Sequence, residues 1–202
     1  MADLGRVGEA LEWAWAEYCA HPDRFSFDRL MAFVPAAASP AWREKAVVAA
    51  LDTGGLRPLV ELLVHTGETE RLADLIGQSP YSAVQGLSHY MAEPAGRSLE
   101  PGHPLAAART WRAQGMRILA GRKSPQYEAA VDYFGRAERC YAWADRIGEW
   151  RETVAQVHTE HGRKGRFMPR FQTLVQDADT ERHPSFLERA RSRWALPDPD
   201  QS

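Results

Sequence analysis

The stretch HTEHGRKGRFMPRF, residues 158–171, gathers the side chains of this sequence best suited to chemistry. His158 and His161 stand three apart, with Glu160 between them. On a helix that spacing puts both imidazoles on nearly one face, where one metal ion can reach both. A zinc site wants a third and usually a fourth ligand. His183 and Glu152 are conceivable, but nothing in the spacing demands them. The pair therefore reads first as surface or capping histidines. Metal binding is the weaker expectation, and no cofactor is implied.

Arg163, Lys164, Arg166 and Arg170 follow at once. Positive charge near a helix C-terminus is favoured by the macrodipole, by about 0.3–1 kcal/mol per group. Gly162 and Gly165 can supply a left-handed turn there. The functional reading is an anion-binding patch for nucleic-acid phosphate or for an acidic protein segment. Phe167 and Phe171 can stack bases, although they also continue the apolar face into the next helix. The chain as a whole is not basic, with a net charge of −2. Its halves differ: residues 1–100 sum to −6 and residues 101–202 to +4.

Other reactive groups form no pattern. TGGL and GRKS are too short for a phosphate loop, and no Gly-x-Ser-x-Gly or dinucleotide fingerprint occurs. The two cysteines, Cys19 and Cys140, sit far apart within helical patterns, which is neither a disulfide framework nor zinc spacing. Cys140 reads as core. Tyr81, Tyr90, Tyr127, Tyr133 and Tyr141 fall at packing positions. No charged segment followed by an apolar run marks the start, and no apolar stretch approaches the roughly 20 residues of a membrane span. A reducing cytoplasm is the expected location. Twenty-two arginines against three lysines, with abundant alanine, point to a GC-rich bacterial genome.

The elements that must position these groups are all helical by pattern. Leu4, Val7, Leu11, Ala14, Trp15 and Tyr18 form one stripe over residues 2–20, with Trp13 pointing away as a second packing surface or a partner contact. FSFDRLMAFV reads as a short buried helix. Ser-Pro pairs at 39, 79 and 124 open helices, the second running to about Met91. Gly54, Gly67 and Gly77 stop helices, and Gly148 breaks the longest one. EPAGRSLEPGHP carries three prolines and two glycines and reads as a linker. The expected organisation is an N-terminal subdomain over 1–92, a linker at 93–103, a C-terminal subdomain over 104–176, and a terminal helix and tail over 177–202. No period-two alternation occurs. The expected fold is all-α, a helical-repeat stack of about nine or ten helices.

Within 104–146, Trp111, Gly115 and Ile118 are spaced as the bulky-small-bulky set of a tetratricopeptide first helix. Ala130, Phe134 and Ala137 match the small-aromatic-small set of the second. A small residue lets the helices approach, and the aromatic fills the gap beside it. The interhelical loop is longer than in the usual repeat, so the hairpin is one divergent unit. HPLAAARTWRAQGMRIL, YEAAVDYFGRAERCYAWA and EWRETVAQVHTEHGRKGRFMPRF together resemble the C-terminal part of an uncharacterised bacterial helical family, designated a domain of unknown function. That family is similar to the helical region of some SWIM zinc-finger proteins. The resemblance spans residues 103–175, and the first hundred residues match less well. The SWIM element, Cys-x-Cys then Cys-x-His, is absent from the sequence. The resemblance implies a helical-repeat fold and brings no catalytic residues.

The sequence thus points to a non-enzymatic protein that binds another protein or peptide. The expected contact surface is a groove beside Trp111, Tyr127 and Trp143, flanked by Arg163, Lys164, Arg166 and Arg170. Nucleic-acid binding through 163–170 is the alternative.

Overall fold

A computed structural model of the chain describes residues 2–121 and 124–182. Among the described residues all regular structure is helical, with no strand. Eleven α-helices follow in order: α1 (Ala2–Ala20), α2 (Arg24–Phe33), α3 (Ser39–Thr53), α4 (Leu56–Thr66), α5 (Thr69–Gln78), α6 (Tyr81–Gln85), α7 (His89–Leu99), α8 (Pro104–Ala120), α9 (Tyr127–Trp143), α10 (Ile147–His161) and α11 (Met168–Arg182). The expected final helix, HPSFLERARSRWAL, and the PDPDQS end lie outside the described residues. Within them, α11 runs unbroken through 176 and 177.

Local chemistry explains most boundaries. Asp23 accepts from the Ser26 N–H at 2.8 Å while Ser26 accepts from the Asp23 N–H at 3.0 Å, a reciprocal cap that starts α2. Gly67 closes α4 in the left-handed region at φ 74°. Two expected boundaries and one expected turn conformation differ. Gly77 lies inside α5. Gly148 lies inside α10, because the chain turns earlier at Asp145, whose φ is 54°, and Arg146 then donates to the Tyr141 carbonyl at 2.8 Å. Gly162 keeps a right-handed φ of −55°, so the expected left-handed turn does not form there.

The largest difference is residues 81–103. The helix expected to run to Met91 stops at Gln85, and α7 occupies most of the expected linker. Ala92, Ala95, Gly96 and Leu99 are all buried, at i, i+3, i+4 and i+7. That stripe packs the segment against the core as a helix despite Pro94. The proline removes the bond to the Tyr90 carbonyl, and Tyr90 is 80% exposed, so water can take that acceptor.

The core lies in two clusters. One joins α1 to α4 around Tyr18, Phe27, Leu30 and Leu62, and the Tyr18 hydroxyl donates to the Ala46 carbonyl at 2.8 Å. The other runs from Val47 and Val60 through Leu99 and Trp111 to Phe134 and Phe171, so it draws on both sides of 93–103. Its centre is the α8–α9 pair, the most extensive helix–helix contact described. There Gly115 lies against the buried Phe134 ring, the small-against-aromatic packing that the sequence spacing predicts. Among the described residues no helix is long and apolar enough to cross a membrane.

Candidate functional site

The residues expected to share one groove do not share it. Trp111 is fully buried. It stacks on Tyr133 at 5.5 Å between ring centres, lies under the Arg136 guanidinium at 4.8 Å, and sits tight against Gly96. Its spacing signal was one of packing, and it serves the core. Tyr127 is half-buried at the start of α9, edge-on to Phe167. Trp143 is 68% exposed at the end of the same helix, about 24 Å further along its axis. Trp13 also faces solvent, at 61%. Of the five tyrosines expected to pack, Tyr90 is exposed.

The basic segment forms the turn between α10 and α11 and is partly committed to the fold. Lys164 donates to the Tyr127 hydroxyl at 3.3 Å, and Arg170 pairs with Glu128 at 3.4 Å. Arg163 and Arg166 are exposed. Phe167 and Phe171 are fully buried and stack on each other, so neither ring offers a face to a base. His158 packs against Phe171, while the largely buried His161 lies 3.8 Å from the Glu160 carboxylate. Burial, then Lys164, lowers the His161 pKa below the ordinary imidazole value. Among the described residues no group of three or more histidine, cysteine or carboxylate side chains is placed to hold a metal ion. His183 lies outside the described residues. Cys140 is buried, and burial pushes its thiol up to about 11, which keeps it protonated at neutral pH.

A site that sequence reasoning missed lies where α5, α6, α8, α9 and α10 converge. A groove of about 800 Å³ opens there, with Ala73, Leu105, Ala106 and Ala144 on its apolar walls and Tyr81, Arg109, Arg112 and Tyr141 as its polar lining. Arg109 and Arg112 are three apart on α8 and share a face. Arg109 donates to the carbonyls of Gly77 at 2.6 Å and Ser79 at 2.5 Å, which fastens the end of α5. Arg112 donates to Gln156 at 2.7 Å, and its guanidinium lies 5.0 Å from the centre of the Tyr81 ring. Tyr141 is buried, which raises its phenol pKa above the ordinary value, the Arg112 charge opposing that rise.

Three polar atoms in this wall have no hydrogen-bond partner although they are buried: the Tyr81 hydroxyl, Arg109 Nε and Arg112 Nε. Among the described residues neither guanidinium has a carboxylate within ion-pair distance. Burial pushes the Tyr81 phenol up to about 12, the arginines opposing it, so the hydroxyl stays neutral at physiological pH. The two acids in the lining sit apart from these cations: Asp74 is exposed, and Glu149 is held by Arg146. The groove lining thus carries Arg109, Arg112 and His103 together with Asp74 and Glu149. The available signal was the pair of arginines inside AAARTWRAQG, a segment otherwise small and apolar.

Comparison with known proteins places the chain in a family. A family model, described as a family of unknown function (DUF6880), matches residues 1–170. The chain belongs to that family. The match takes in the first hundred residues, where the sequence resemblance is weaker, and ends at residue 170. Every groove residue named above falls within the DUF6880 region. No curated protein and no solved structure matches the chain.

Proposed function

We propose that this DUF6880 chain is a non-enzymatic protein of the bacterial cytoplasm that binds a segment of another protein, and that its working surface is the groove between α5, α6 and α8–α10. In this reading α8 and α9 form a tetratricopeptide-like hairpin within a helical stack. One observation carries the proposal: an open groove whose cationic wall holds three buried polar atoms without partners. Buried polar groups in a folded protein nearly always have partners, so an unmet cluster beside open space is where a ligand gains most. Trp143, exposed on α9 next to the groove-lining Ala144, adds an aromatic anchor of the kind that dominates binding hot spots. The segment 163–170 contributes less, because two of its four cations are engaged by Tyr127 and Glu128.

The test is partner recovery from cells that express the chain naturally, comparing wild type with Leu105→Trp. Leu105 is a partly exposed residue of the groove wall, so the larger ring fills the groove with little disturbance of the core. Loss of a specifically recovered protein with an unchanged melting temperature supports the reading. Equal recovery by both proteins refutes it.

A further inference from the structure

We infer that the groove selects one carboxylate of the bound segment, held at Arg112 and Tyr81, with the charge of Arg109 behind them; this deepens the preceding proposal and rests on it. Two half-buried guanidiniums stand three residues apart on α8, with no carboxylate of the described chain within ion-pair distance. Arg112 reaches a carboxylate only through Gln156, which donates to Glu160 at 2.8 Å, so an entering anion can pair with the guanidinium directly. The Tyr81 hydroxyl adds a donor without an acceptor, beside the Arg112 guanidinium that covers its ring. A guanidinium edge and a hydroxyl match a carboxylate, which accepts from several donors at once.

The other charges in the lining decide which anion. Asp74 and Glu149 line the same groove. Glu149 is paired with Arg146, but exposed Asp74 has no ion pair among the described residues and repels a phosphate dianion or a nucleic-acid backbone more than a single carboxylate. The apolar walls of Ala73, Leu105, Ala106 and Ala144 suit aliphatic neighbours. The occupant is therefore a peptide segment with one glutamate or aspartate flanked by apolar residues.

The experiment uses the full chain and fluorescence anisotropy with two end-blocked, labelled pentapeptides, Ala-Leu-Glu-Leu-Ala and Ala-Leu-Gln-Leu-Ala, and inorganic phosphate and acetate as separate competitors. The glutamate peptide is expected to bind about tenfold tighter or more, the scale of a hydrogen bond to a charged group. Arg112→Gln is expected to erase that ratio while leaving the glutamine peptide unaffected, and Arg112→Lys to retain part of it. Tyr81→Phe is expected to weaken only the glutamate peptide while leaving the free protein as stable as wild type or more so, because it deletes a buried hydroxyl with no partner. Equal binding of the two peptides, with Leu105→Trp still blocking both, overturns the carboxylate and leaves the groove reading in place. Phosphate displacing the glutamate peptide at lower concentration than acetate overturns the choice of carboxylate over phosphate. Failure of both peptides to bind overturns the inference, while partner recovery judges the groove separately.

Discussion

A methyl group at Gly115 should destabilise this protein even though it improves a helix. Gly115 lies inside α8, where glycine-to-alanine normally gains about 1 kcal/mol in helix propensity. A Cβ built there would stand 2.8 Å from two carbons of the Phe134 ring and 3.1 Å from a third. Carbon pairs pack best at about 3.5–4.0 Å, so a gap of about 0.7–1.2 Å must open. The ring cannot retreat: it is fully buried and braced by Phe171 at 5.2 Å and Phe167 at 6.1 Å between centres. The two helices must therefore part. Overpacking costs roughly 1–3 kcal/mol, and this rigid contact belongs to the upper part of that range, so the net loss is about 1–2 kcal/mol after the propensity gain. Gly135, on the facing helix, is the control. Its Cβ would meet Leu174 at 3.4 Å and the far end of Arg139 at 3.7 Å, both ordinary contacts. Gly135→Ala should be neutral or stabilising. Guanidinium denaturation followed by tryptophan fluorescence measures both. Gly115→Ala as stable as wild type refutes the close-approach argument. The cost should also shrink in a Phe134→Leu background, because the two sites share one contact.

Trp111→Ala should cost about 3–5 kcal/mol, whereas Trp143→Ala should stay within about 0.5 kcal/mol, since one indole is core and the other faces solvent; thermal melts of the two variants decide. Tyr18→Phe should cost about 1 kcal/mol by removing the buried bond to the Ala46 carbonyl, read from denaturant midpoints. His161 binds its proton less readily folded than unfolded. Its contribution is therefore present above the ordinary imidazole pKa and is lost as pH falls through that value towards the depressed folded one. His161→Gln should flatten this part of the stability profile, and an unchanged slope would remove the histidine from the account.

The fold was legible where local and tertiary signals agreed. Gly67 after Thr66 and the Gly115–Phe134 spacing each name a boundary or a contact that the structure contains. Reading failed where packing overrode local chemistry. The buried stripe of Ala92, Ala95, Gly96 and Leu99 was hidden behind Pro94 and Gly96, which read as linker punctuation. The turn after α9 uses a left-handed aspartate rather than the nearby glycine. The groove was illegible for a different reason. Arg109 and Arg112 matter because Tyr81 lies about thirty residues earlier and Tyr141 about thirty later, and only the packing of α6, α8 and α9 brings them together. The histidine and arginine cluster at 158–170 drew attention because it is contiguous, yet much of it serves the α10–α11 turn.

The most direct measurement is site-specific photo-crosslinking in living cells, with benzoylphenylalanine placed at Leu105 in the groove wall and, separately, at the exposed Phe25 on α2. The account predicts a discrete adduct with one protein from position 105 and none from position 25, with the 105 adduct lost when Arg112→Gln is added. Adducts of equal yield from both positions, or an Arg112-independent adduct at 105, would contradict it.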